Sequence, residues 1–575
     1  MPPGVRGLRT FAKVATCASV ALSLALPAAA EGQRNVYVAV SGSGEIAGFD
    51  TSASGGLTPL SGSPFAGAPA SYGVTITPDG KRLYVANTSG SSISAFDVAA
   101  DGNLSPLPGS PFSSSAPTYG GAVSPDGSLY FVANYDSDEV SVYSVGSGGA
   151  LSQVPGSPFA AGEGPIGLAV SPDGKFLYVT NNDFLNNVTP SNISAYAIGA
   201  GGALSPLGGS PFAAGLNPGA IGVDPDGRFL YVANFRSDNV AVYAIAPSGG
   251  LSQVPGSPFA TGGQPYGVAA GPDGTRLFVT NSFTNNVSAF AVAADGALTA
   301  VAGSPFAAGD QPIGIGVAPG GDHLYVANYG VGPPGPGPYV DASVSAYGVA
   351  PSGALSSVAG SPFATGGEAA RFQGLAISPN QPPVAALTAG TAEVGSPVSF
   401  DAASSIDPDG AIATYDWDFG DGTKLPDGGP APSHTYATAG HYEVTVTLTD
   451  DEGCSMRIVY TGQSATCNGS AVARASAGVQ VADPPDSPAP KTSIKGKPKY
   501  QQRKDTRFRF ESSISGSTFK CKLDGSRYKD CQSPKNYKNL KPGKHRFLVY
   551  AVSPDGIADA SPAKVKFKVK GRKKG

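Results

Sequence analysis

A tetrad of the form Tyr-Val-Ala-Asn returns seven times at a nearly fixed interval, and this period constrains the fold more than any other feature of the chain. The copies start at Tyr37, Tyr84, Phe131, Tyr178, Tyr231, Phe278 and Tyr325, spaced by 47, 47, 47, 53, 47 and 47 residues. Such a period marks a repeat architecture, in which each unit buries its apolar face against the next. Every unit holds four strand-like runs, A to D. In the fourth they are Gly167–Ser171, Phe176–Thr180, Ile193–Ile198 and Leu204–Leu207. The A-to-B turn is Pro172-Asp-Gly174 and the C-to-D turn is glycine-rich, so proline presets one turn dihedral and glycine accepts a positive φ in the next. A four-stranded antiparallel meander follows.

Runs A, B, C and D each occur seven times, but the series opens on a B run at Tyr37 and closes on an A run at Gly374–Ser378. The last A run is therefore predicted to complete the first unit, closing a seven-bladed ring through its own ends and leaving only short sheet edges. The YVTN tetrads, the turn Pro172-Asp-Gly-Lys175 and the segment Leu151–Phe159 (LSQVPGSPF) resemble the YVTN family of β-propellers, close to the lactonase-type propellers that include 6-phosphogluconolactonase. The resemblance covers residues 31–380. It implies a seven-bladed propeller and, where the family is enzymatic, charged and histidine groups gathered near the central channel. This segment contains one histidine, His323, at the start of a B run where a surface position is expected. No acid–base pair is evident, and no catalytic residue is assigned.

Asp79, Asp126, Asp173, Asp226 and Asp273 sit inside Pro-Asp-Gly turns and read as turn formers; Asn87, Asn134, Asn181, Asn234, Asn281 and Asn328 end B runs and are expected to tie down the next loop. Function is sought where the copies differ. Meander geometry puts the D-to-A and B-to-C loops on one face of the ring, and the extra length falls there. Six residues are added between Asn181 and Asn192, ten between Asn328 and Ser343, and three around Glu368 and Arg371. Variable loops on a rigid scaffold are where binding sites are built. Near the start of strand A the copies carry Tyr72, Tyr119 and Tyr266, and the last carries Gln373. The candidate ligand-binding residues are Tyr72, Tyr119, Tyr266, Glu368, Arg371 and Gln373, a set of rings, amide and charge that suits a carbohydrate or a protein segment; aromatic packing of the inner ring is the competing account. The glycine- and proline-rich stretch 328–340 reads as a stiff extended loop.

The N-terminus has the form of an export signal: Arg6, Arg9 and Lys13 precede an apolar run, Val14–Leu26, and Pro27-Ala-Ala-Ala30 offers a small-residue cleavage site. Residues 1–30 are assigned to it, Cys17 included. The run is short for a membrane span, and no transmembrane span is expected after its removal. In an exported chain the remaining close pairs, Cys454 with Cys467 and Cys521 with Cys531, argue for local disulfides. A four-cysteine metal site would need Cys-x-x-Cys spacing, which is absent, and no metal site is assigned.

Residues 381–484 carry Asp407-Pro-Asp-Gly410, Tyr415-Asp-Trp-Asp-Phe-Gly-Asp-Gly422, His434-Thr-Tyr436 and the alternating run Tyr442, Val444, Val446, Leu448. They resemble a PKD domain with its WDFGDG signature, which implies a seven-stranded immunoglobulin-like sandwich with Trp417 in its core. Some bacterial PKD modules bind calcium, so the resemblance brings Asp407, Asp409, Asp418 and Asp421 forward as ligands; turn formation is the favoured account of all four. No other cofactor is expected. Residues 485–490 are a proline-rich linker. Residues 491–575 alternate as strands do and resemble immunoglobulin-like or fibronectin-III-like modules.

Charge is strongly segregated along the chain. Residues 31–380 hold 8 basic and 22 acidic side chains, residues 381–490 hold 3 and 14, and residues 491–575 hold 24 and 6. Lys564, Lys566, Lys568 and Lys570 alternate with apolar residues, which predicts a cationic sheet face suited to cell-wall or other anionic polymers. Export makes nucleic acid an unexpected partner. The expectation is an all-β, secreted or cell-surface binding or adhesion protein, with a ligand-recognising propeller and two sandwiches as spacer and anchor. The missing acid–base set favours binding over catalysis; a lactonase-like hydrolase and a structural surface-layer protein are the alternatives.

Overall fold

A computed structural model describes residues 34–571 except 41–42, 68–70, 183–190, 331–341, 367–373, 484–487 and 497–505. The expected export signal lies outside the described residues, as do most of the two long loop insertions, Glu368, Arg371 and Gln373. The described residues form strands joined by turns and three short 3-10 segments. None is a helix long and apolar enough to cross a membrane. The chain divides into two compact units. The first comprises Met1–Thr391, Pro397–Thr435 and His441–Gln480; the second comprises Ala392–Ser396, Tyr436–Gly440 and Val481–Gly575.

Most of the first unit is a ring of seven antiparallel sheets, the blades. Blade one joins Asn35–Val40, Glu45–Thr51 and Leu57–Pro59 to the distant strand Leu375–Ile377, in the register Val36↔Ile377, Tyr37↔Ala376 and Val38↔Leu375. The ring thus closes through its own ends, as the strand count predicts. Several of the repeated tyrosines bond their blade to a neighbour. The B-strand hydroxyls of Tyr37, Tyr84 and Tyr178 donate to the carbonyls of Gly102, Gly149 and Gly249 in the next blade, at 2.7, 2.8 and 2.9 Å. C-strand hydroxyls such as Tyr243 and Tyr347 reach the preceding blade, donating to Ala213 and Ala307, each at 2.7 Å.

Each blade has five strands rather than four, because strand D is split in two. In blade three, Leu151–Gln153 and Phe159–Ala160 both pair with Glu139–Val145. The break would leave one strand-C amide without a ladder partner. A serine of the Gly-Ser-Pro-Phe segment accepts it instead: Ser63, Ser110, Ser157, Ser210, Ser257, Ser304 and Ser361 each take such an N–H at 2.9 Å. The repeated asparagines also prove to be blade scaffold. The Asn87, Asn134, Asn181, Asn281 and Asn328 amides donate to Ser94, Ser141, Ser194, Ser288 and Ser345 on strand C of the same blade. They pin strand to strand as well as loop to strand. In blade five the serine is replaced by Ala241, and Asn234 turns to Asn239 at 2.8 Å.

The same unit contains most of the PKD-like sandwich. Its strands Thr388–Ala389, Pro397–Asp401 and Ser433–Thr435 form one sheet, while Ile412–Asp418 and Gly440–Asp450 lie side by side in another. Trp417 is 2% exposed, packs on Phe400 and Phe419, and donates its indole N–H to the Gly429 carbonyl at 3.0 Å. One hairpin leaves this sandwich. Its strands are Ile458–Tyr460 and Ala465–Asn468, and the Cys454–Cys467 disulfide ties its base.

In the second unit, Thr492–Lys495, Thr506–Ser512 and Lys535–Tyr537 form a three-stranded sheet. Lys529–Cys531, Thr518–Leu523, Gly543–Val552 and Ala563–Val569 form a four-stranded one in that order. Phe508 stacks on Phe547 at 4.1 Å in the core between them. The Cys521–Cys531 disulfide links the first two strands of the larger sheet, so both expected pairings form.

Candidate functional site

The A strands end their sheets at the channel of the ring, with a ladder partner on one edge only. The PKD hairpin bonds backbone groups on the other edge. The Gly462 carbonyl accepts the Val170 N–H at 2.7 Å, the Thr461 carbonyl accepts the Val223 N–H at 3.1 Å, and the Gln463 amide donates to the Ile221 carbonyl at 2.6 Å. The Tyr460 hydroxyl donates to the Val123 carbonyl, and its ring is fully buried in an apolar cluster with Ala122, Leu168 and Val170. Gly462 makes the tip possible. Its φ is +98°, and an added Cβ would stand 3.0 Å from Ala169 Cβ and 3.1 Å from the Val223 nitrogen.

The hairpin therefore plugs the channel from the face that carries the Pro-Asp-Gly turns. A cavity of about 50 Å³ remains beside it against Val268, Ile315, Leu375 and Ile377, enough for a few waters and no larger ligand. Further contacts hold the two domains together on this face. Arg457 donates to the Pro225 carbonyl at 3.1 Å and pairs with Asp226. Asp226 can do this because Asp224 takes over its turn role, accepting the N–H of Arg228, two residues after Asp226. The other turn aspartates accept the N–H two residues on, as Asp79 does from Lys81 at 3.1 Å.

His323 also lies at this end, and it is not the surface residue the sequence predicts. Its side chain is 15% exposed, lies against Gly55, and shares a 2.9 Å contact with Asp322 that holds its pKa above the usual value.

The described residues of the opposite, loop-rich face leave a concavity. Over blades five to seven, a pocket of about 320 Å³ lies at the channel mouth. Phe235, Tyr266, Phe283 and Tyr329 supply its aromatic surface, and Gln264, Ser282, Asn285 and Gln311 its polar groups. Phe235 and Tyr266 meet edge to face at 5.5 Å, and Phe283 is 74% exposed. Gln264 and Gln311 hold left-handed backbone, φ 55° and 50°, a conformation that costs a non-glycine residue about 1 kcal/mol. Polar anchors offset this cost. The Gln264 N–H donates to Asp238 at 2.7 Å and the Gln311 N–H to Asn285 at 2.9 Å, while the Gln264 carbonyl accepts the Ser282 hydroxyl at 3.0 Å.

The sequence-predicted site residues thus separate. Tyr266 enters this pocket, whereas Tyr72 and Tyr119 form a chain of rings with Tyr135, at 5.3 and 4.9 Å, over blades two and three. Glu368, Arg371 and Gln373 lie outside the described residues. Reading the sequence missed the two glutamines. The available signal was that they stand where blade four has Gly164, a residue indifferent to positive φ.

The four PKD aspartates separate as well. Asp418 accepts the Gly420 N–H and pairs with Lys424, while Asp421 bonds His434 at 2.8 Å, a ring stacked on Phe419. Asp407 and Asp409 lie instead with Asp450, and Arg34, 7% exposed, inserts between Asp409 and Glu452. Asp407 Oδ2, Asp409 Oδ1 and Asp450 Oδ2 are buried without a hydrogen-bond partner. Such oxygens suit calcium chemically, but among the described residues no three acidic, histidine or cysteine side chains converge as a ligand set. Arg34 is the cation paired with Asp409 and Glu452.

Burial, reinforced by neighbouring carboxylates, pushes Asp407 and Asp450 up to about 6. Unfolded aspartates release their protons near pH ~4. The folded chain thus binds more protons between pH ~4 and ~6, and this contribution makes stability fall as pH rises through that window. Asp407→Asn should match wild type near pH 4 and become the more stable protein by pH 7 in urea melts. A pH-independent difference would contradict the assignment.

Comparison with known proteins follows the same division. The profile described as "Lactonase, 7-bladed beta-propeller" matches residues 35–165, 149–259 and 248–361, and a PKD domain profile matches 380–461. Among solved structures, the periplasmic gluconolactonase of Pseudomonas aeruginosa is 22% identical, with 60% of this chain and 99% of that one covered and a TM-score of 0.47. A putative 6-phosphogluconolactonase of Bacteroides fragilis is 19% identical, with 61% and 99% covered and a TM-score of 0.48. A microbial collagenase of Vibrio alginolyticus is 36% identical over 83 residues, 14% of this chain and 10% of its own length. Collagenase ColA of Clostridium perfringens is 45% identical over 56 residues, 10% of this chain and 5% of its own. The chain spans a tenth or less of these two curated relatives.

Proposed function

Because this chain belongs to the seven-bladed β-propeller lactonase family, we propose that it is an exported binding protein whose loop-face pocket recognises a polyhydroxylated ring, a sugar or a sugar-acid lactone. The observation that carries this reading is the pocket over blades five to seven. Aromatic rings offer faces to the C–H surface of a sugar, and side-chain amides offer both donors and acceptors to its hydroxyls. With the far end of the channel filled by the hairpin, this mouth is the side from which a ligand approaches. The two disulfides fit an oxidising compartment outside the cytoplasm. The sandwiches serve as spacer and anchor.

Family membership favours a second reading, lactone hydrolysis at the same mouth. Among the described residues that line the pocket there is no histidine and no carboxylate to act as a base, and the Ser282 hydroxyl is committed to a backbone carbonyl. Binding is therefore preferred. Titrating the purified protein with monosaccharides, aldonic acids and their lactones should find a ligand whose affinity falls at least about ten-fold in Tyr266→Ala and in Gln311→Ala, with melting unchanged. Lactone turnover lost in the same variants would replace binding by hydrolysis. A ligand bound equally by wild type and both variants would remove the site.

A further inference from the structure

We propose that the solvent face of the four-stranded sheet in the C-terminal sandwich binds an acidic polysaccharide, a chain of sugar rings bearing carboxylates. This assignment is independent of the propeller pocket and rests on strand register. Lys544 stands opposite Lys568, Arg546 opposite Lys566, and Leu548 opposite Lys564. The next strand continues the face, with Lys522 opposite Leu548 and Lys520 opposite Tyr550. The intervening residues, Phe547, Val549, Val565 and Phe567, are buried in the core, so the basic residues share the outer side. Strand geometry sets them on a grid of roughly 6.7 Å along each strand and 4.8 Å between strands.

Folding alone does not select such a grid, since like charges directly opposite each other destabilise a sheet by about 0.2–1 kcal/mol per pair. Two carboxylates lie near it. Asp530 meets Lys520 at 3.5 Å at one edge. Asp524 is turned to His545 and to the Arg546 backbone N–H, at 2.8 Å each. Lys544, Arg546, Lys566 and Lys568, with Asp524, His545 and Phe567, border an open groove of about 660 Å³, four basic side chains to one carboxylate.

Two aromatic rings flank the grid and separate a sugar polymer from a simple anion. Tyr528 and Tyr550 meet edge to face at 4.8 Å, with Lys522 Nζ 4.4 Å from the Tyr528 ring centre. A tyrosine face beside lysines accommodates a sugar ring and its carboxylate together. The Cys521–Cys531 disulfide braces the edge of this sheet and fits an oxidising compartment outside the cytoplasm.

The test uses the full chain with soluble polygalacturonate as probe, neutral dextran as control and double-stranded DNA as competitor. Wild type should bind polygalacturonate and not dextran, and raising salt from about 50 to about 200 mM should weaken binding at least ten-fold. Lys544→Glu with Lys566→Glu should weaken it by a further factor of about ten or more through charge reversal. Should that pair fail to fold, Lys544→Gln with Lys566→Gln should still weaken binding while melting as wild type does. Tyr550→Ala should weaken polygalacturonate binding more than DNA binding. The proposal is overturned by no binding at low salt, by binding that folded charge variants leave unchanged, or by DNA binding tighter than polygalacturonate.

Discussion

Tyr460→Ala should destabilise the propeller by about 3–5 kcal/mol, the range for emptying a buried aromatic site. The residue belongs to the PKD hairpin, yet its ring lies in the cluster of blades three and four and its hydroxyl donates to Val123. Tyr460→Phe keeps the ring and loses only the hydrogen bond, so about 1 kcal/mol is expected. Gly462→Val should act like the alanine variant by another route, because the tip cannot hold φ +98° with a branched Cβ against Ala169 and Val223. Urea melts and hydrogen exchange check all three. In Tyr460→Ala and Gly462→Val the amides of Val170 and Val223, which donate to the hairpin, should lose protection. Unchanged stability and unchanged protection would mean that the hairpin does not fill the channel.

Ala376→Pro should be as damaging, with a loss of at least about 3 kcal/mol, because it removes an amide donor from the strand that closes the ring and strains its backbone. Ala376 faces Tyr37, with Ser378 donating to Asn35 at 2.9 Å and Ala39 donating to Gly374 at 3.0 Å on either side. The register makes Ala376 and Tyr37 a hydrogen-bonded pair. Opening this seam exposes the edges of blade one, so aggregation should accompany the lower melting temperature. A variant that melts and remains monomeric as wild type does would show that closure contributes little.

Ring closure was legible in the sequence because it needs only counting: seven B runs before a seventh A run leave one way to finish the ring. The sandwich core was legible for a similar reason, since Trp417 and the alternation from Tyr442 to Leu448 are local patterns. The serine of each Gly-Ser-Pro-Phe segment was visible as repetition, but its role was hidden. Its partner amide lies 15 residues upstream and is orphaned only because strand D splits. The channel plug was beyond sequence patterning altogether. The Tyr460 to Val123 bond spans 337 residues, and nothing local to either end predicts it.

The candidate site was half legible. Tyr266 came from comparing repeats, but the same comparison put Tyr72 and Tyr119 beside it, and ring curvature places those over different blades. Gln264 and Gln311 were missed because their distinguishing property is a backbone angle, φ 55° and 50°, carried by a residue type that gives no warning of it.

The proposed ligand enters by the loop face over blades five to seven while the hairpin fills the other end. Hydrogen exchange of the full chain, with and without the ligand found by titration, tests this most directly. Added protection is expected across residues 264–266, 282–285 and 311–313, with no change in 458–468. Protection that appears on the hairpin and the Pro-Asp-Gly turns, leaving the mouth unaltered, would contradict it.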